Sequence, residues 1–350
     1  MSFDNSIELL TGWFGRAFWL AFYLPALILV ALSFYVVAPF WGINMPFVQL
    51  AGQNVEIARV VTVLLISLAV AVLLVGFNDE LIRAYEGKPW WLKFFLLYPL
   101  YRLNIWRHAK LYGEITLLRA EYLHRAATLG QDEPQRRKTS DDNKALLDGL
   151  AIQMKEEQDR LETKIGNETL PRAAYRLCPT SFGNYYALIE EYAFERYGID
   201  SVLFWPRMRE CLTHSAPELV QRLIEQRRSL DLSLNLSFVM LLVTVEFVAT
   251  LFVVPTPNRW VIAFACLTAL ILARIYYATS CRAVRLLGHL IAIAYDFHRH
   301  QILLAFGLSR PTSLPEEQQI WIRLAAFLRR GDSFYFPADK FRFPDPTKPV

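Results

Sequence analysis

Four long apolar runs divide the chain. Residues 17–40 and 60–78 contain no Asp, Glu, Lys or Arg, whereas residues 232–254 and 260–278 contain one charged residue each. A run of about 18 or more apolar residues is long enough to cross a bilayer as a helix. The pattern therefore predicts an all-α membrane protein with two transmembrane hairpins.

The polar segments between and after these runs also read as helical. Residues 90–103, WWLKFFLLYPLYRL, are too short and too often charged to span, so we predict an interfacial helix there. Residues 105–129 and 144–165 have helical patterns, and a coiled coil is an alternative for the second. The predicted parts are a first hairpin at 1–80, a cytoplasmic helical segment at 81–230 with a mobile linker at 130–144, a second hairpin at 231–280, and cytoplasmic helices with a tail at 281–350.

Basic residues indicate the orientation of the hairpins. Lys and Arg are dense between Arg83 and Arg228, but only one occurs between Asn44 and Arg59. Because cytoplasmic loops carry the excess of Lys and Arg, we predict a multi-pass protein of the bacterial inner membrane with both termini in the cytoplasm.

Composition narrows the class of partner. The chain is 54% hydrophobic and 20% charged, and its net charge of +4 is too small to predict a nucleic-acid partner. Its four cysteines have neither metal-site nor disulfide spacing. The expected partners are the lipid bilayer, further copies of the same chain and a cytoplasmic protein. No cofactor is expected.

The stretch RYGID, residues 196–200, predicts a corner that leads into the second hairpin. A helix beginning at Ser181 or Asn184 should end at Tyr197, because Gly198 is suited to the left-handed conformation after a helix. We expect SVLF to be a short extended run that Pro206 closes.

Two capping boxes should start helices after this corner. SAPE, residues 215–218, predicts a helix that runs directly into the third span. SLPE, residues 313–316, opens a helix with an apolar face. That face comprises Ile320, Trp321, Leu324, Phe327 and Leu328.

Several phrases occur together between Tyr85 and Trp321: YEG, CPTSFGN, EEY, RYGID, WPRM, AYDFHRHQILLAFG and EEQQIW. As a set they resemble a family of uncharacterised bacterial four-helix membrane proteins with PTRLGN-like and RYGLD…WPRL-like cytoplasmic motifs. The resemblance implies two helices, a cytoplasmic segment and two more helices, and it implies no activity. This chain has Ser181 and Phe182 where the family has Arg and Leu, so an arginine-dependent role is not carried over.

Two groups of polar residues are candidates for chemistry. Glu191 and Glu195 lie one helical turn apart near Glu190, Arg196 and Asp200, which suits a divalent cation or acid–base catalysis. We favour a charged helix face in which Arg196 and Arg207 form pairs across the corner, because no third ligand has the required spacing.

The second group is His289, Asp296 and His300, which share a helix face and would need one more ligand to bind a metal. The simpler interpretation pairs Asp296 with His300 one turn later and directs Arg299 to lipid phosphates or another helix.

Glu246 differs from these groups because it lies near the middle of a predicted span. On insertion scales a charged acid there costs about 2.5–3.5 kcal/mol, so such residues usually have a function. The alternative is a protonated residue that only packs. Arg274, the charged residue of the fourth span, is close enough to the inner end to reach the interface.

The candidates outside the spans form a recognition or structural motif rather than a catalytic set, since no phosphate-binding loop or hydrolase signature is present. They are Pro179, Gly183, Asn184, Glu190, Glu191, Arg196, Tyr197, Gly198, Asp200, Trp205, Pro206, Arg207, Asp296 and Arg299. Our leading hypothesis is an oligomeric channel or membrane effector gated by its cytoplasmic part. The alternatives are a membrane-anchored interaction protein and, with less support, a membrane enzyme.

The predicted orientation can be tested in the turn PTPN, residues 255–258. A single cysteine placed there, in a variant without its native cysteines, should react with an impermeant maleimide from outside intact cells. Labelling only after the cytoplasmic side is exposed would contradict the orientation.

Overall fold

A computed structural model of the chain describes residues 18–41, 55–131, 156, 170–171, 174–254 and 259–330. Every regular element of these residues is helical, which confirms the all-α prediction. The long helices are α1 (Trp19–Trp41), α2 (Val55–Glu86), α3 (Tyr98–Gln131), α4 (Ser181–Tyr197), α5 (Ser201–Ser215), α6 (Pro217–Val253), α7 (Arg259–Ala305) and α8 (Leu314–Arg330).

Four of these helices are long and apolar enough to cross a membrane: α1, residues Ile57–Glu86 of α2, α6 and α7. They cover most of each of the four apolar runs, so the prediction of an all-α membrane protein is confirmed. With 37 and 47 residues, α6 and α7 are about 55 and 70 Å long at helical rise. Because a hydrocarbon core is about 30 Å thick, both helices extend well beyond it.

The first span is an irregular helix. A π-helical turn, Trp19–Tyr23, precedes the α-helical segment Leu24–Leu32, and a second π-helical turn, Ser33–Val37, follows it. Pro25 lies at the start of the α-helical segment. Since proline lacks an N–H, the first turn of a segment is where it disturbs the fewest backbone hydrogen bonds.

The chain divides into two compact units, Met1–Ala84 with Ile189–Val350 and Tyr85–Leu188. In the first unit α6 and α7 form the second hairpin, and α1 packs on them. One buried cluster joins these three helices. Its members are Val37, Val239, Met240, Val243, Phe247, Ile262, Ala269 and Ala273.

Side-chain hydrogen bonds define the directions of the spans. Asn235 donates to the carbonyl of Ala21 near the start of α1, and Trp41 at the end of α1 donates to Thr250. Residue numbers therefore increase together along α1 and α6, so these spans are parallel. Asn78 donates to Asp231, which brings the end of the second span to the start of the third. Both hairpins consequently open on the same side.

Outside the apolar runs, α5, α7 and α8 enclose a core. Trp321 of α8 is fully buried and its ring centroid lies 5.0 Å from that of Phe204. Tyr295 of α7 is also fully buried. On the predicted apolar face of α8, Trp321 and Leu324 are buried, whereas Phe327 is 41% exposed.

The corner at residues 196–200 has the predicted start but a different continuation. α4 ends at Tyr197 and Gly198 has φ of 73°, as predicted. The extended run SVLF was wrong, because α5 begins at Ser201 and contains Pro206. The Asp200 side chain caps this helix by accepting a hydrogen bond from the N–H of Leu203. That cap stabilises a helix start that the proline pattern did not reveal.

One of the two predicted capping boxes is absent. Ala216 caps α6 without a side-chain hydrogen bond, and the Ser215 hydroxyl lies 2.6 Å from the Gln301 amide oxygen instead. At α8 the Ser313 hydroxyl accepts from the N–H of Glu316 as predicted, at 3.4 Å. As expected, α6 runs into the third span. The helix of the fourth span, α7, continues unbroken through HLIAIAYDFHRHQ.

In the second unit the phrases YEG and CPTSFGN pack together. The Thr180 hydroxyl donates to the carbonyl of Tyr85, and a side chain on Gly183 would clash with the carbonyl of Glu86. The predicted interfacial helix at 90–103 is two elements, a π-helical turn Leu92–Leu96 and the first part of α3. The break falls at Leu97, just before Pro99 in the first turn of α3, where a proline needs no hydrogen-bonded N–H.

The predicted linker at 130–144 begins inside α3, which ends at Gln131. Its other residues, the turn 255–258 and, apart from residue 156, the polar helix at 144–165 lie outside the described residues.

Gly198 provides a test of the corner. Its φ of 73° is strained for a β-branched residue and tolerated by asparagine. We expect Gly198→Val to lower the free energy of unfolding by about 1–2 kcal/mol or more, and Gly198→Asn by less. Thermal unfolding in detergent would measure both. Equal stability of Gly198→Val and the unaltered protein would contradict a left-handed corner.

Candidate functional site

Several of the motif residues converge on Asp296 of α7. This residue lies 18 positions beyond the last apolar residue of the fourth run, about 27 Å at helical rise. Two tyrosines of α4 donate to its carboxylate. The Tyr192 hydroxyl lies 2.8 Å from Oδ2 and the Tyr197 hydroxyl lies 2.7 Å from Oδ1. The carboxylate therefore connects α4 to α7 through two charge-assisted hydrogen bonds.

Arg299, one turn after Asp296, extends this cluster to α8. Its Nε donates to Glu317 Oε1 at 2.7 Å, and its Nη2 lies 3.4 Å from Oε2. The same guanidinium stacks on Tyr197, with its carbon 3.9 Å from the ring centroid. A planar guanidinium can make both contacts at once, which a lysine could not reproduce.

Glu317 is the most deeply buried acid of this cluster, with 4% of its surface exposed. Besides Arg299, the indole N–H of Trp321 donates to its Oε1, and the Nδ1 of His300 lies 3.8 Å away. A buried charge requires such partners, because loss of one leaves the other uncompensated. We call Tyr192, Tyr197, Asp296, Arg299 and Glu317 the polar cluster.

Burial and the Asp296 carboxylate both favour the neutral phenols. Partial burial is the larger cause and the hydrogen bond to Asp296 is the next, and together they raise the pKa of Tyr192 to about 12. The same causes raise the pKa of Tyr197. Both tyrosines therefore remain hydrogen-bond donors at neutral pH.

The corner contacts α8 beside the polar cluster. Asp200 forms an ion pair with Arg329, and Gln318 donates to the carbonyl of Arg196. The guanidinium of Arg196 lies 4.6 Å from the Tyr192 ring centroid, and Arg207 donates to the carbonyl of Leu203. The Asp200 and Gln318 contacts connect the corner to α8, whereas those of Arg196 and Arg207 lie within α4 and α5.

The other predicted residues of the corner differ in burial. Trp205 is half-buried, with its ring centroid 6.2 Å from that of Tyr295, while Pro206 is exposed. Glu191 is buried, Glu190 is half-buried and Glu195 is exposed. Glu191 and Glu195 thus lie in different environments despite their helical spacing.

Among the described residues, His289, Asp296 and His300 are not arranged as a metal site. In those ranges no three His, Cys, Asp or Glu side chains are grouped to hold a metal. His289 is exposed, Asp296 accepts from tyrosines, and His300 lies beside Glu317. The predicted pairing partner of Asp296, His300, is thus replaced by the tyrosines of α4.

Glu246 is in contact with the first hairpin. Its two carboxyl oxygens lie 2.9 and 2.8 Å from the Ser33 hydroxyl of α1, which also lies 2.9 Å from the carbonyl of Leu29. One hydroxyl proton thus faces three oxygens. One turn further along α6, the Thr250 hydroxyl donates to the carbonyl of Glu246 and accepts from Trp41.

Arg274 is separate from this pair. Its side chain is exposed, and its guanidinium carbon lies 5.5 Å from the Tyr277 ring centroid. Within the second hairpin, Glu246 therefore lies beside a neutral hydroxyl, whereas Arg274 lies beside an aromatic ring.

Pro179, Gly183 and Asn184 belong to the second unit. The Asn184 side chain accepts from the N–H of Cys178 at 2.8 Å, and Asn104 of α3 donates to the carbonyls of Cys178 and Pro179. Pro179 leaves no room for a side chain on Gly87. These residues build a tight loop, and this structural role explains their hydrogen bonds and close packing without a ligand.

Sequence reasoning did not identify Ser33, Tyr192 or Glu317 as site residues. For Ser33 the sequence held a clue, because it lies at nearly the same depth as Glu246. Ser33 is about 24 Å from the start of the first run, and Glu246 is about 21 Å from the start of the third. Tyr192 and Glu317 carried none, since long-range contacts decide their partners.

Comparison with protein-family models, with curated proteins and with solved structures found no match.

The raised pKa values predict a response to alkali. An unfolded tyrosine ionises near pH 10, whereas Tyr192 keeps its proton to about pH 12 in the folded protein. The unfolded state therefore binds fewer protons in this window, and stability must fall as pH rises from 10 to 12. Thermal unfolding of a Tyr192→Phe/Tyr197→Phe variant should show a shallower fall. An identical slope in both proteins would contradict the polar cluster.

Proposed function

We propose that the chain is an inner-membrane protein that assembles from several copies and conducts or gates an ion, with its cytoplasmic helices controlling the pathway. The observation that carries this proposal is the carboxyl group of Glu246 in mid-span beside one neutral hydroxyl. An acid at that depth is costly to insert, and such acids usually belong to ion or proton pathways.

The surroundings of Glu246 suit a group that exchanges a proton or a cation. Its side chain is half-buried rather than enclosed. Ser33 can donate to a charged carboxylate or accept from a protonated one, because a hydroxyl does both. The contact can therefore persist through a change of protonation.

The long helices offer a connection to the cytoplasmic part. α7 runs without a break from the span to the polar cluster, and Ser237 of α6 donates to its carbonyl at Ala273. A displacement of α8 would act on α7 through Arg299 and Glu317. Rigid paired helices of this kind transmit small shifts rather than absorb them.

A second candidate is a membrane-anchored interaction protein, and the Ser33 contact also favours it. The hydroxyl lies within hydrogen-bonding distance of both carboxyl oxygens of Glu246 within one chain, as expected for an acid that only joins two hairpins. The cytoplasmic helices would then recruit a protein, and the spans would serve as the anchor.

Substitutions of Glu246 distinguish the two functions. Glu246→Gln keeps the shape and the hydrogen bond to Ser33 but cannot exchange a proton, so we expect native assembly with altered ion flux or altered pH dependence of flux in proteoliposomes. Glu246→Leu should remain folded, because the Ser33 hydroxyl can still donate to the carbonyl of Leu29. Glu218→Gln is the matched control, since it makes the same change at an exposed site of α6.

Unchanged flux in both Glu246 variants, with the flux of the control also unchanged, would contradict conduction through this residue. Retained or raised stability of Glu246→Leu together with retained activity in cells would favour the anchored interaction protein.

A further inference from the structure

A cationic and aromatic segment follows the second span directly. The 27 residues from Gly87 to Gly113 contain five Lys or Arg and no Asp or Glu. The same window holds three tryptophans and three tyrosines, the side chains that favour the headgroup region of a membrane. The segment begins immediately after Glu86, the last residue of the span-bearing α2.

The structure arranges part of this segment as an alternating stripe. Tyr98, Arg102, Trp106 and Lys110 recur every four residues along α3, so they lie on one face of the helix. The Arg102 guanidinium lies 6.0 Å from the Tyr98 ring centroid, and the Lys110 ammonium lies 5.6 Å from that of Trp106. We call these four residues the α3 stripe.

The stripe points away from the packed side of its unit. Asn104 makes the contact between α3 and the loop 178–179, and helical geometry puts it on the side opposite the centre of the stripe. All four stripe residues are exposed, and Trp106 has 60% of its surface accessible. Cations and aromatic rings are therefore exposed on this face of α3.

We propose that the α3 stripe binds the headgroups of anionic phospholipids, with Arg102 and Lys110 on the phosphates and Tyr98 and Trp106 at the level of the glycerol backbone. The charge of the window, five cations without an acid, complements an anionic leaflet. The segment follows the second span directly along the chain, since that span ends at Glu86. This binding goes beyond conduction or anchoring, because it selects a lipid class.

The ring contacts explain why basic residues and aromatic residues alternate. A guanidinium or ammonium over an aromatic ring is attracted to the ring face, which orients the cation before the lipid arrives. Each cation near an anionic surface adds attraction worth about fivefold in binding, so two give roughly thirtyfold.

The test uses the full chain in proteoliposomes of phosphatidylcholine with a fixed fraction of brominated phosphatidylglycerol or brominated phosphatidylcholine. Bromine quenches tryptophan emission at short range, and subtracting the signal of a Trp106→Phe variant isolates Trp106 among nine tryptophans. We expect brominated phosphatidylglycerol to quench Trp106 at least about twofold more strongly than brominated phosphatidylcholine, because each cation enriches the anionic lipid locally.

Arg102→Gln/Lys110→Gln should remove this preference while leaving thermal unfolding unchanged, because both side chains are exposed. Arg209→Gln/Arg323→Gln is the control, since it removes two exposed arginines from other helices and should retain the preference. Equal quenching by the two lipids, or no quenching of Trp106, would overturn the proposal. The second result would assign the stripe to an acidic protein partner or a second copy of the chain.

Discussion

The packing of α6 against α7 is the contact on which the first unit depends. Both helices are far longer than a bilayer is thick, so one continuous interface carries the second hairpin and the helical pair beyond it. Inside lipid no water can satisfy polar groups, and each polar side chain must find a partner in the protein. Asn235, Ser237 and Glu246 on α6 do so on α1 and α7, and these bonds orient the spans.

Beyond the apolar runs α7 leaves the apolar packing of the spans and enters a polar network that is mostly half-buried. Asp296 and Arg299, one turn apart on α7, connect α4 on one side and α8 on the other. Networks of this kind stabilise one arrangement strongly because an unpaired member is costly in a low dielectric. Such a network is suited to holding α8 in a defined position, and a change in that position would reach α7.

The phrases quoted in the sequence analysis fall into two clusters. YEG and CPTSFGN form the loop of the second unit, where Asn184 and Thr180 hold the backbone and two glycines allow close approach. RYGID, WPRM, AYDFHRHQ and EEQQIW meet around Asp296 and the core of α5, α7 and α8. The roles observed in these clusters are capping, packing and pairing. The chemically distinctive acid, Glu246, lies in the membrane part and outside these motifs.

The sequence by itself determined the class of protein, the four spans, the unbroken run of α6 into the third span and the end of α4 at Gly198. These features depend on local pattern: apolar length, helical periodicity and the left-handed preference of glycine. It failed at SVLF, where a proline suggested an ending but the Asp200 cap and the buried Phe204 favour a helix. Only the tertiary structure decided that Ser33 meets Glu246, that two tyrosines share Asp296 and that Glu317 receives Arg299. Those partners lie 18 to 213 residues apart, so packing rather than local preference selects them.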